Sequence, residues 1–241
     1  MVKHKILSTK KLDPSLLEKA GNAGIEIIEQ EFIAIRPIWS EEKFQEIIPT
    51  FKKSHVAFTS ANAVVTVDRY LHPDNTFYVP DWRIFCLSGK TKQTVLKSPV
   101  LPKTIVGEAG HATDLAEEII RQGVGEVVFF CGDKRRDELP KKLQEASIVV
   151  QEVVVYETIE TASTVNGSFD AVLFFSPSAV QSFFSANQLH PSAVCFAVGY
   201  TTEHSILPFT NNKVITSIAP GQEEMINELI NYFQNAESGQ H

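Results

Sequence analysis

The chain repeats itself, and the order of the repeated segments constrains its fold more than any other feature of the sequence. Three stretches from the middle of the chain recur near the C-terminus at matching spacing, each with its apolar and helix-forming positions in register. Self-similarity of this kind predicts two copies of one structural unit. The matched pairs are VAFTSANAVV (56–65) with VLFFSPSAVQ (172–181), IFCLSGKTKQTV (84–95) with CFAVGYTTEHSI (195–206), and EAGHATDLAEEI (108–119) with IAPGQEEMINEL (218–229).

A fourth matched pair stands in permuted order. Residues 4–33 resemble residues 127–156, so the first copy of this segment opens the chain whereas the second copy closes its middle part. Two similar lobes can form only if the N-terminus packs with the C-terminal half of the chain. We therefore expect one discontinuous lobe and one continuous lobe.

The boundaries of the lobes follow from this permutation. The sequence predicts a discontinuous lobe from residues 1–33 plus 160–241 and a continuous lobe from 38–151. The two crossings fall on 31–37 and 152–158, which are β-rich and free of glycine. Such segments are typical of extended structure, so we expect a two-stranded β linker.

Within each copy, short apolar segments alternate with amphipathic helical patterns. In TDLAEEIIRQ, for example, Leu115, Ile119 and Ile120 share one helical face. Alternation of strands and helices predicts parallel sheets covered by helices on both faces. The predicted fold class is therefore α/β, with two doubly wound, flavodoxin- or Rossmann-like lobes.

Hydroxyl side chains gather where the predicted strands end and helices begin. In FFSPSAV (174–180), Ser176 is a favoured N-cap and Pro177 suits the first helical turn, which predicts a strand, a turn and a helix. Helix N-termini with unpaired N–H groups favour anions, and such loops meet at the carboxyl edge of a parallel sheet. Four loops share this character: TSAN (59–62), SGKT (88–91), SPS (176–178) and GYTT (199–202). The candidate anion-binding hydroxyls are those of Thr59, Ser60, Ser88, Thr91, Ser176, Ser178, Thr201 and Thr202.

Two further candidates each have a functional and a purely structural interpretation. Tyr156 is the acid/base-capable side chain that this topology places in a linker strand beside the gap between lobes, and its alternative role is a packed aromatic ring. The run Lys134, Arg135 and Arg136 follows a predicted strand and is either a solvated loop or an anion contact. STKK (8–11) occupies the matching place in the other copy, which favours anion contact slightly.

Composition and missing motifs exclude several classes of protein. The net charge is −7 with no Lys/Arg stripe among aromatics, which argues against nucleic acid as a partner. No Walker or G-x-G-x-x-G motif is present, and neither the histidines nor the three cysteines show metal-ligand spacing. The cysteines lie in apolar runs, as reduced core residues do. No apolar run approaches bilayer-spanning length and the start lacks a signal-peptide core, so we expect a cytoplasmic protein without membrane contact.

Five motifs occur along the chain: AFTSANAV (57–64), GEAGHATDLA (107–116), VVVYET (153–158), FFSPSAV (174–180) and AVGYTT (197–202). In this order and spacing they make the chain resemble the uroporphyrinogen-III synthase family over nearly its whole length. The resemblance implies two α/β lobes joined by a two-stranded ladder, with the active site in the cleft. It also implies that hydroxymethylbilane loses water and cyclises to uroporphyrinogen III with inversion of ring D, in heme biosynthesis, without metal or organic cofactor.

The resemblance also assigns roles to individual residues. It places the family's cleft tyrosine on Tyr156, as the catalytic residue. Two departures stand out: Asn62 where many relatives have a basic residue, and Lys10 where many have arginine. The implied partner is the linear tetrapyrrole, bound by a monomer, and transient contact with the enzyme that supplies hydroxymethylbilane stays open. The matching substrate-binding hydroxyls are those of Thr59, Ser60, Ser176, Ser178, Thr201 and Thr202.

Two other functions compete with this interpretation. A two-lobed anion-binding module without catalysis would also use hydroxyl-rich helix N-termini. A pair of receiver-like signalling domains would need a clustered acidic pocket, whereas the strand ends here carry Ser, Thr and Gly. Analysis of the products formed from hydroxymethylbilane separates an enzyme from a binding module.

The permuted repeat makes a prediction about fragments. Residues 38–151 expressed alone should fold, because they contain every segment of one copy. Residues 160–241 alone should not, because they lack the N-terminal segment that completes the other copy. Circular dichroism and chemical denaturation of both fragments check this, and cooperative unfolding of the 160–241 fragment would count against the permutation.

Overall fold

The computed structural model describes residues 2–38, 40–52, 54–71, 79–219 and 221–237. Its chain divides into two compact units. The discontinuous unit comprises Met1–Ala34 with Ile159–His241, and the continuous unit comprises Ile35–Thr158.

Helices and strands alternate along most of the described chain. In chain order they are β1 (His4–Ser8), α1 (Pro14–Asn22), β2 (Ile25–Glu29), β3 (Ile33–Pro37), α2 (Glu41–Ile47), a 3-10 helix (Ile48–Phe51), β4 (Ser54–Phe58), α3 (Ala61–Tyr70), β5 (Trp82–Leu87), α4 (Lys90–Lys97), β6 (Ile105–Ala109), α5 (Ala112–Arg121), β7 (Glu126–Gly132), α6 (Glu138–Glu145), β8 (Val149–Glu160), β9 (Ala171–Phe174), α7 (Pro177–Phe184), β10 (Val194–Ala197), α8 (Tyr200–Ile206), β11 (Val214–Thr216) and α9 (Gln222–Glu237).

The discontinuous unit is a five-stranded parallel sheet of order β11-β10-β9-β1-β2. One face is covered by α1 and α9, which contribute Ala20, Met225 and Leu229 to the core on that side. The other face is covered by α7 and α8, through Phe183 and Ile206. Both faces of the sheet are buried, and its strands are accordingly continuous apolar runs such as AVLF and VCFA.

The continuous unit contains a six-stranded sheet of order β3-β8-β7-β4-β5-β6. The pairs from β8 to β6 are parallel. The helices α3 and α4 cover one face, which we call the α3 face, through Val64, Val67 and Val95. The opposite face, covered by α5 and α6, buries Leu115 and Leu143.

The strand orders of the two sheets match element by element. Each strand of the first sheet has a counterpart at the same position in the second sheet, and it is the counterpart that the sequence repeat assigns. In order, β2-β1-β9-β10-β11 correspond to β8-β7-β4-β5-β6. The repeated helix positions Met225, Ile226 and Leu229 are fully buried, as are their counterparts in α5. The predicted α/β class with two parallel, doubly wound sheets is confirmed.

The chain passes between the units along β3 and β8, which are neighbours in the sheet order. The amide of Ile38 donates to the carbonyl of Val155 at 2.9 Å, and the amide of Thr161 donates to the carbonyl of Phe32 at 2.9 Å. Ile38 thus pairs with Val155, whereas the lower-numbered Phe32 pairs with the higher-numbered Thr161. The strands β3 and β8 therefore run antiparallel. Extended backbone at both crossings agrees with the absence of glycine there.

The three cysteines are buried free thiols, as the apolar context of each predicts. Burial raises the pKa of Cys86 and Cys131 to about 11 and that of Cys195 to about 12. The thiols therefore stay protonated and act as small apolar groups. No helix in the described part of the chain combines the length and hydropathy that a membrane span requires.

Candidate active site

Ser60 lies at the carboxyl end of β4, where it caps α3. Its backbone is extended and its Oγ accepts a hydrogen bond from the amide of Asn62 at 3.1 Å. Capping satisfies one of the amides that a helix N-terminus leaves without an intrahelical partner. The neighbouring Thr59 is half-buried on the same loop.

Tyr156 reaches this cap because of a shift in strand register. In the β7–β8 pair, Cys131 lies opposite Val154 but Gly132 lies opposite Tyr156, so Val155 is an extra residue in β8. An extra residue reverses the alternation of side chains that follows it. Tyr156 accordingly packs on the α3 face together with the buried Val155.

The phenol of Tyr156 donates a hydrogen bond to Ser60 Oγ at 3.1 Å. A serine oxygen has two acceptor positions and one donor hydrogen. Because the amide of Asn62 and the phenol of Tyr156 fill both acceptor positions, the Ser60 O–H is left to donate elsewhere. The pair therefore presents a hydroxyl donor at the helix N-terminus, where a developing negative charge is favoured.

The ionisation of Tyr156 is held back by its surroundings. Burial raises the pKa of this phenol, and the nearby Cys131 and Asp133 act in the same direction, against the opposing effect of the Ser60 hydrogen bond. The phenol is therefore protonated throughout the neutral range and is a weak acid.

Asp133 is a contributor that the sequence did not single out. Its amide donates to the carbonyl of Tyr156 at 3.0 Å, and its carboxylate accepts from the amide of Thr158 at 2.8 Å. These bonds hold the backbone on both sides of the Tyr156 side chain. The sequence signal that could have identified Asp133 is the tripeptide Cys131-Gly132-Asp133, which ends a predicted strand just before the basic loop.

The SGKT loop places its two hydroxyls differently. Ser88 is exposed and its amide donates to the carbonyl of Ala109 at 2.8 Å. Thr91 is 6% exposed and packs into the unit. Gly89 caps α4 with φ of 70°, a left-handed conformation that favours glycine. Of the two predicted residues, Ser88 is the one that lies on the surface.

The SPS loop of the discontinuous unit forms the predicted helix start. Ser176 Oγ accepts a hydrogen bond from the amide of Ala179 at 3.2 Å, and Pro177 occupies the first turn of α7. Ser178 is half-buried one residue into the helix. The ammonium of Lys10 lies 5.6 Å from the ring centre of Phe175, so a cation stands beside this loop.

The GYTT loop carries one exposed and one buried threonine. Thr201 is exposed, whereas Thr202 is 1% exposed and its Oγ1 has no hydrogen-bond partner among the described residues. A buried hydroxyl without a partner costs about 1–3 kcal/mol, so such groups call for an explanation. Thr202 is therefore the most unusual of the eight candidate hydroxyls.

The basic loop after β7 does not supply a free arginine at position 135. Arg135 forms ion pairs with Glu152 and Asp137. Burial is the largest single influence on the pKa of its guanidinium and lowers it, but the two carboxylates together outweigh burial and raise this pKa. These ion pairs already compensate the charge of Arg135, so the structure lends the anion-contact hypothesis no support at this residue. Its role is to tie the loop to β8.

Comparison with known proteins identifies the family. The family model described as uroporphyrinogen-III synthase HemD matches residues 15–227. The chain belongs to this family. Since the match covers most of both units, the uroporphyrinogen-III synthase resemblance noted from short motifs is confirmed.

Individual relatives agree with this assignment. A uroporphyrinogen-III synthase from Saccharomyces cerevisiae is 29% identical over 47% of this chain, and the match spans 53% of the yeast protein, about half its length. Solved structures of uroporphyrinogen-III synthases from Helicobacter pylori and Thermus thermophilus have TM-scores of 0.67 and 0.61. They are 16% and 12% identical and cover 95% and 98% of this chain and 100% of their own. These two structures share the fold of this family member.

The unpartnered hydroxyl of Thr202 leads to a stability prediction. Thr202→Val should raise the free energy of unfolding by about 1 kcal/mol, because it replaces an unsatisfied buried hydroxyl with a methyl group of similar shape. Thr50→Val is the matched control: Thr50 is also buried, but its Oγ1 donates to the carbonyl of Ile47 at 2.7 Å. The control should lose about 1 kcal/mol. Urea denaturation measures both, and a loss of stability in Thr202→Val would show that this hydroxyl has a partner.

Proposed function

We propose that the protein is a uroporphyrinogen-III synthase, a lyase that cyclises hydroxymethylbilane to uroporphyrinogen III with loss of water and inversion of ring D. The observation that carries the proposal is the hydrogen bond from the Tyr156 phenol to Ser60 at the N-terminus of α3. Membership of the uroporphyrinogen-III synthase family supplies the reaction. The Tyr156–Ser60 pair supplies a donor suited to it.

The substrate carries eight carboxylates, and the proposed contacts are local donors. The protein is acidic overall, with a net charge of −7, so binding must come from hydroxyls and amides at helix N-termini. The proposed contacts are Thr59, Ser60, Ser88, Thr91, Ser176, Ser178, Thr201 and Thr202. If Thr202 donates to a carboxylate, the same Thr202→Val variant should raise the Michaelis constant by about 10-fold, the effect of one charge-assisted hydrogen bond.

The proposed reaction requires few catalytic groups from the protein. The electron-rich terminal pyrrole pushes out its hydroxyl group, the C–O bond breaks, and the hydroxyl leaves as water with a proton taken from solvent. The pyrrole that closes the ring then loses a proton to solvent, so no proton is consumed overall. The enzyme's tasks are to fold the linear tetrapyrrole, protect the resulting cation from water and direct attack to the hindered ring carbon. The Tyr156–Ser60 pair would donate a hydrogen bond to the departing oxygen. No metal or organic cofactor is needed for these steps.

We also propose that the protein acts as a monomer in the cytoplasm. One chain carries every residue named above, and three buried free thiols suit a reducing compartment. Transient contact with the enzyme that supplies hydroxymethylbilane would shorten the exposure of this unstable substrate. Nucleic acid and membrane have no role in the proposal.

Replacement of Tyr156 by phenylalanine tests the catalytic role. Tyr156→Phe keeps the ring and its packing but removes the donor, so turnover should fall by about 10- to 1000-fold with the fold intact. A poorly held intermediate would close without inversion, so the product should also contain more of the type I isomer. Rate and isomer ratio are measured by chromatography of the oxidised products. Tyr232→Phe in α9 is the matched control, because Tyr232 packs against Phe196 and Phe233 in the discontinuous unit.

Two outcomes would contradict the proposal at different levels. If Tyr156→Phe retains full rate and isomer selectivity, Tyr156 is only a packed ring and the catalytic assignment fails. If the unaltered protein yields only the type I product of spontaneous closure, the protein is not a synthase. The rival function, an anion-binding module without catalysis, accounts for the hydroxyl loops but gives Tyr156 no role.

The raised pKa of Tyr156 sets the pH dependence. The phenol donates only while protonated, and burial moves its ionisation above the ordinary value of about 10. Turnover should therefore stay level through neutral pH and fall only above about pH 10, as the donor is lost. This alkaline limb should be missing from the residual activity of Tyr156→Phe. Initial rates corrected for spontaneous closure check this, with circular dichroism at each pH. A limb below pH 9 would assign it to another group.

A further inference from the structure

Gly132, at the end of β7, has no side chain, and the ring of Tyr156 lies against it. A Cβ atom added to Gly132 would stand 2.4 Å from Cζ of Tyr156, 2.5 Å from Cε2 and 2.8 Å from the phenol oxygen. Cβ atoms do not approach other heavy atoms so closely, because van der Waals repulsion rises steeply below about 3.5 Å. The tyrosine ring therefore fills the space that a side chain at position 132 would take.

Gly132 is needed for this space and not for its backbone conformation. The glycines with positive φ in the described chain are Gly24, Gly89, Gly123 and Gly167, and Gly132 is not among them. Alanine could adopt its backbone dihedrals without strain. The three atoms nearest to such a Cβ all belong to the outer end of the Tyr156 side chain.

The bonds on either side of Tyr156 leave its backbone little freedom. Asp133 is bonded to the carbonyl of Tyr156 through its amide and to the amide of Thr158 through its carboxylate. The register shift places the side chain on the α3 face, and Gly132 admits the ring against the strand. All of these groups belong to the continuous unit, as does Ser60.

We propose that Gly132 and Asp133 are positioning residues for the reaction: Gly132 leaves the space in which the Tyr156 ring lies, and Asp133 fixes the backbone that carries the ring, so that the phenol meets Ser60. This inference rests on the proposed function, because it assigns the two residues to the step that Tyr156 supports. Neither residue is proposed to contact the substrate. They affect the reaction only by fixing the location of the Tyr156 phenol oxygen.

A mutant cycle tests the Gly132 part. Gly132→Ala should displace the Tyr156 ring from Ser60 and lower kcat by up to about 100-fold, the scale of a misplacement of about 1 Å, with little change in KM. In a Tyr156→Phe background, Gly132→Ala should change kcat by less than about 3-fold, because the donor that it displaces is already absent. A purely structural role would give the same loss in both backgrounds and would overturn the proposal.

Gly107→Ala is the matched control for steric damage. A Cβ at Gly107 would stand 2.6 Å from Cδ1 of Phe85 and 2.9 Å from Cγ of Glu118, a comparable clash in the same unit with no tyrosine donor involved. This variant should lose stability but keep the kcat of its folded fraction. If its kcat falls as far as that of Gly132→Ala, the loss comes from general disruption and the proposal fails.

The location of the ring can be measured without the reaction, which separates this inference from the proposed function. Absorbance at alkaline pH, taken as the difference between variants with and without Tyr156, reports the ionisation of this phenol alone. In Gly132→Ala the pKa of Tyr156 should fall toward about 10, because a displaced ring loses its burial. An unchanged pKa would show that the ring has not moved and would overturn the inference. A shifted pKa with unaltered turnover would instead overturn the catalytic role of Tyr156.

Substitutions at Asp133 test the second positioning residue and remain informative if Gly132→Ala does not fold. Asp133→Asn keeps a carbonyl oxygen that can accept from the amide of Thr158, so kcat should stay within about 3-fold. Asp133→Ala removes that acceptor and should lower kcat by about 10-fold without raising KM. Equal losses in both variants would mean that the charge of Asp133 matters rather than its hydrogen bond, and the positioning role would be wrong.

Discussion

Parallel pairing of strands is the constraint on which the rest of this structure depends. A parallel strand can be followed by another only after the chain crosses back over the sheet, and here most crossings contain a helix. The carboxyl ends of the strands therefore lead into helix N-termini along one edge of each sheet. Amides without intrahelical partners collect at that edge, and serine caps such as Ser60 and Ser176 satisfy only some of them. Anion-binding capacity is thus a by-product of the fold.

A single departure from regular pairing shapes the proposed site at Tyr156 and Ser60. Had β8 continued in register with β7, Tyr156 would lie on the face covered by α5 and α6, away from the α3 N-terminus. The extra residue at Val155 reverses its direction. The bulge breaks the regularity of the ladder, and the hydrogen bonds of Asp133 to Tyr156 and Thr158 replace part of what is lost. The same local device both ends the regular strand and directs the one tyrosine in it.

The sequence predicted the fold far better than the site, and the reason is physical. The repeat, the apolar runs and caps such as Ser176 report local conformation and burial, which are properties of single segments. The Tyr156–Ser60 contact joins residues 96 positions apart through a register shift that leaves no mark in residue type. The burial of Thr202 and the pairing of Arg135 likewise depend on neighbours from other segments. Gly132 could be noticed as a glycine, but not as the glycine beside Tyr156.

The burial that positions Tyr156 also limits it as an acid. Desolvation raises the pKa of the phenol, which guarantees a proton at neutral pH but makes transfer of that proton unfavourable. Strong acid catalysis would require the opposite, a pKa nearer to the working pH. The proposed reaction tolerates a weak acid because the pyrrole itself expels the hydroxyl group, and the protein has only to stabilise the departing oxygen with a fixed hydrogen bond. Geometry then matters more than acidity, since a weak donor contributes only where its oxygen is held at hydrogen-bonding distance. In the proposed reaction, the space that Gly132 leaves therefore matters as much as the tyrosine that fills it.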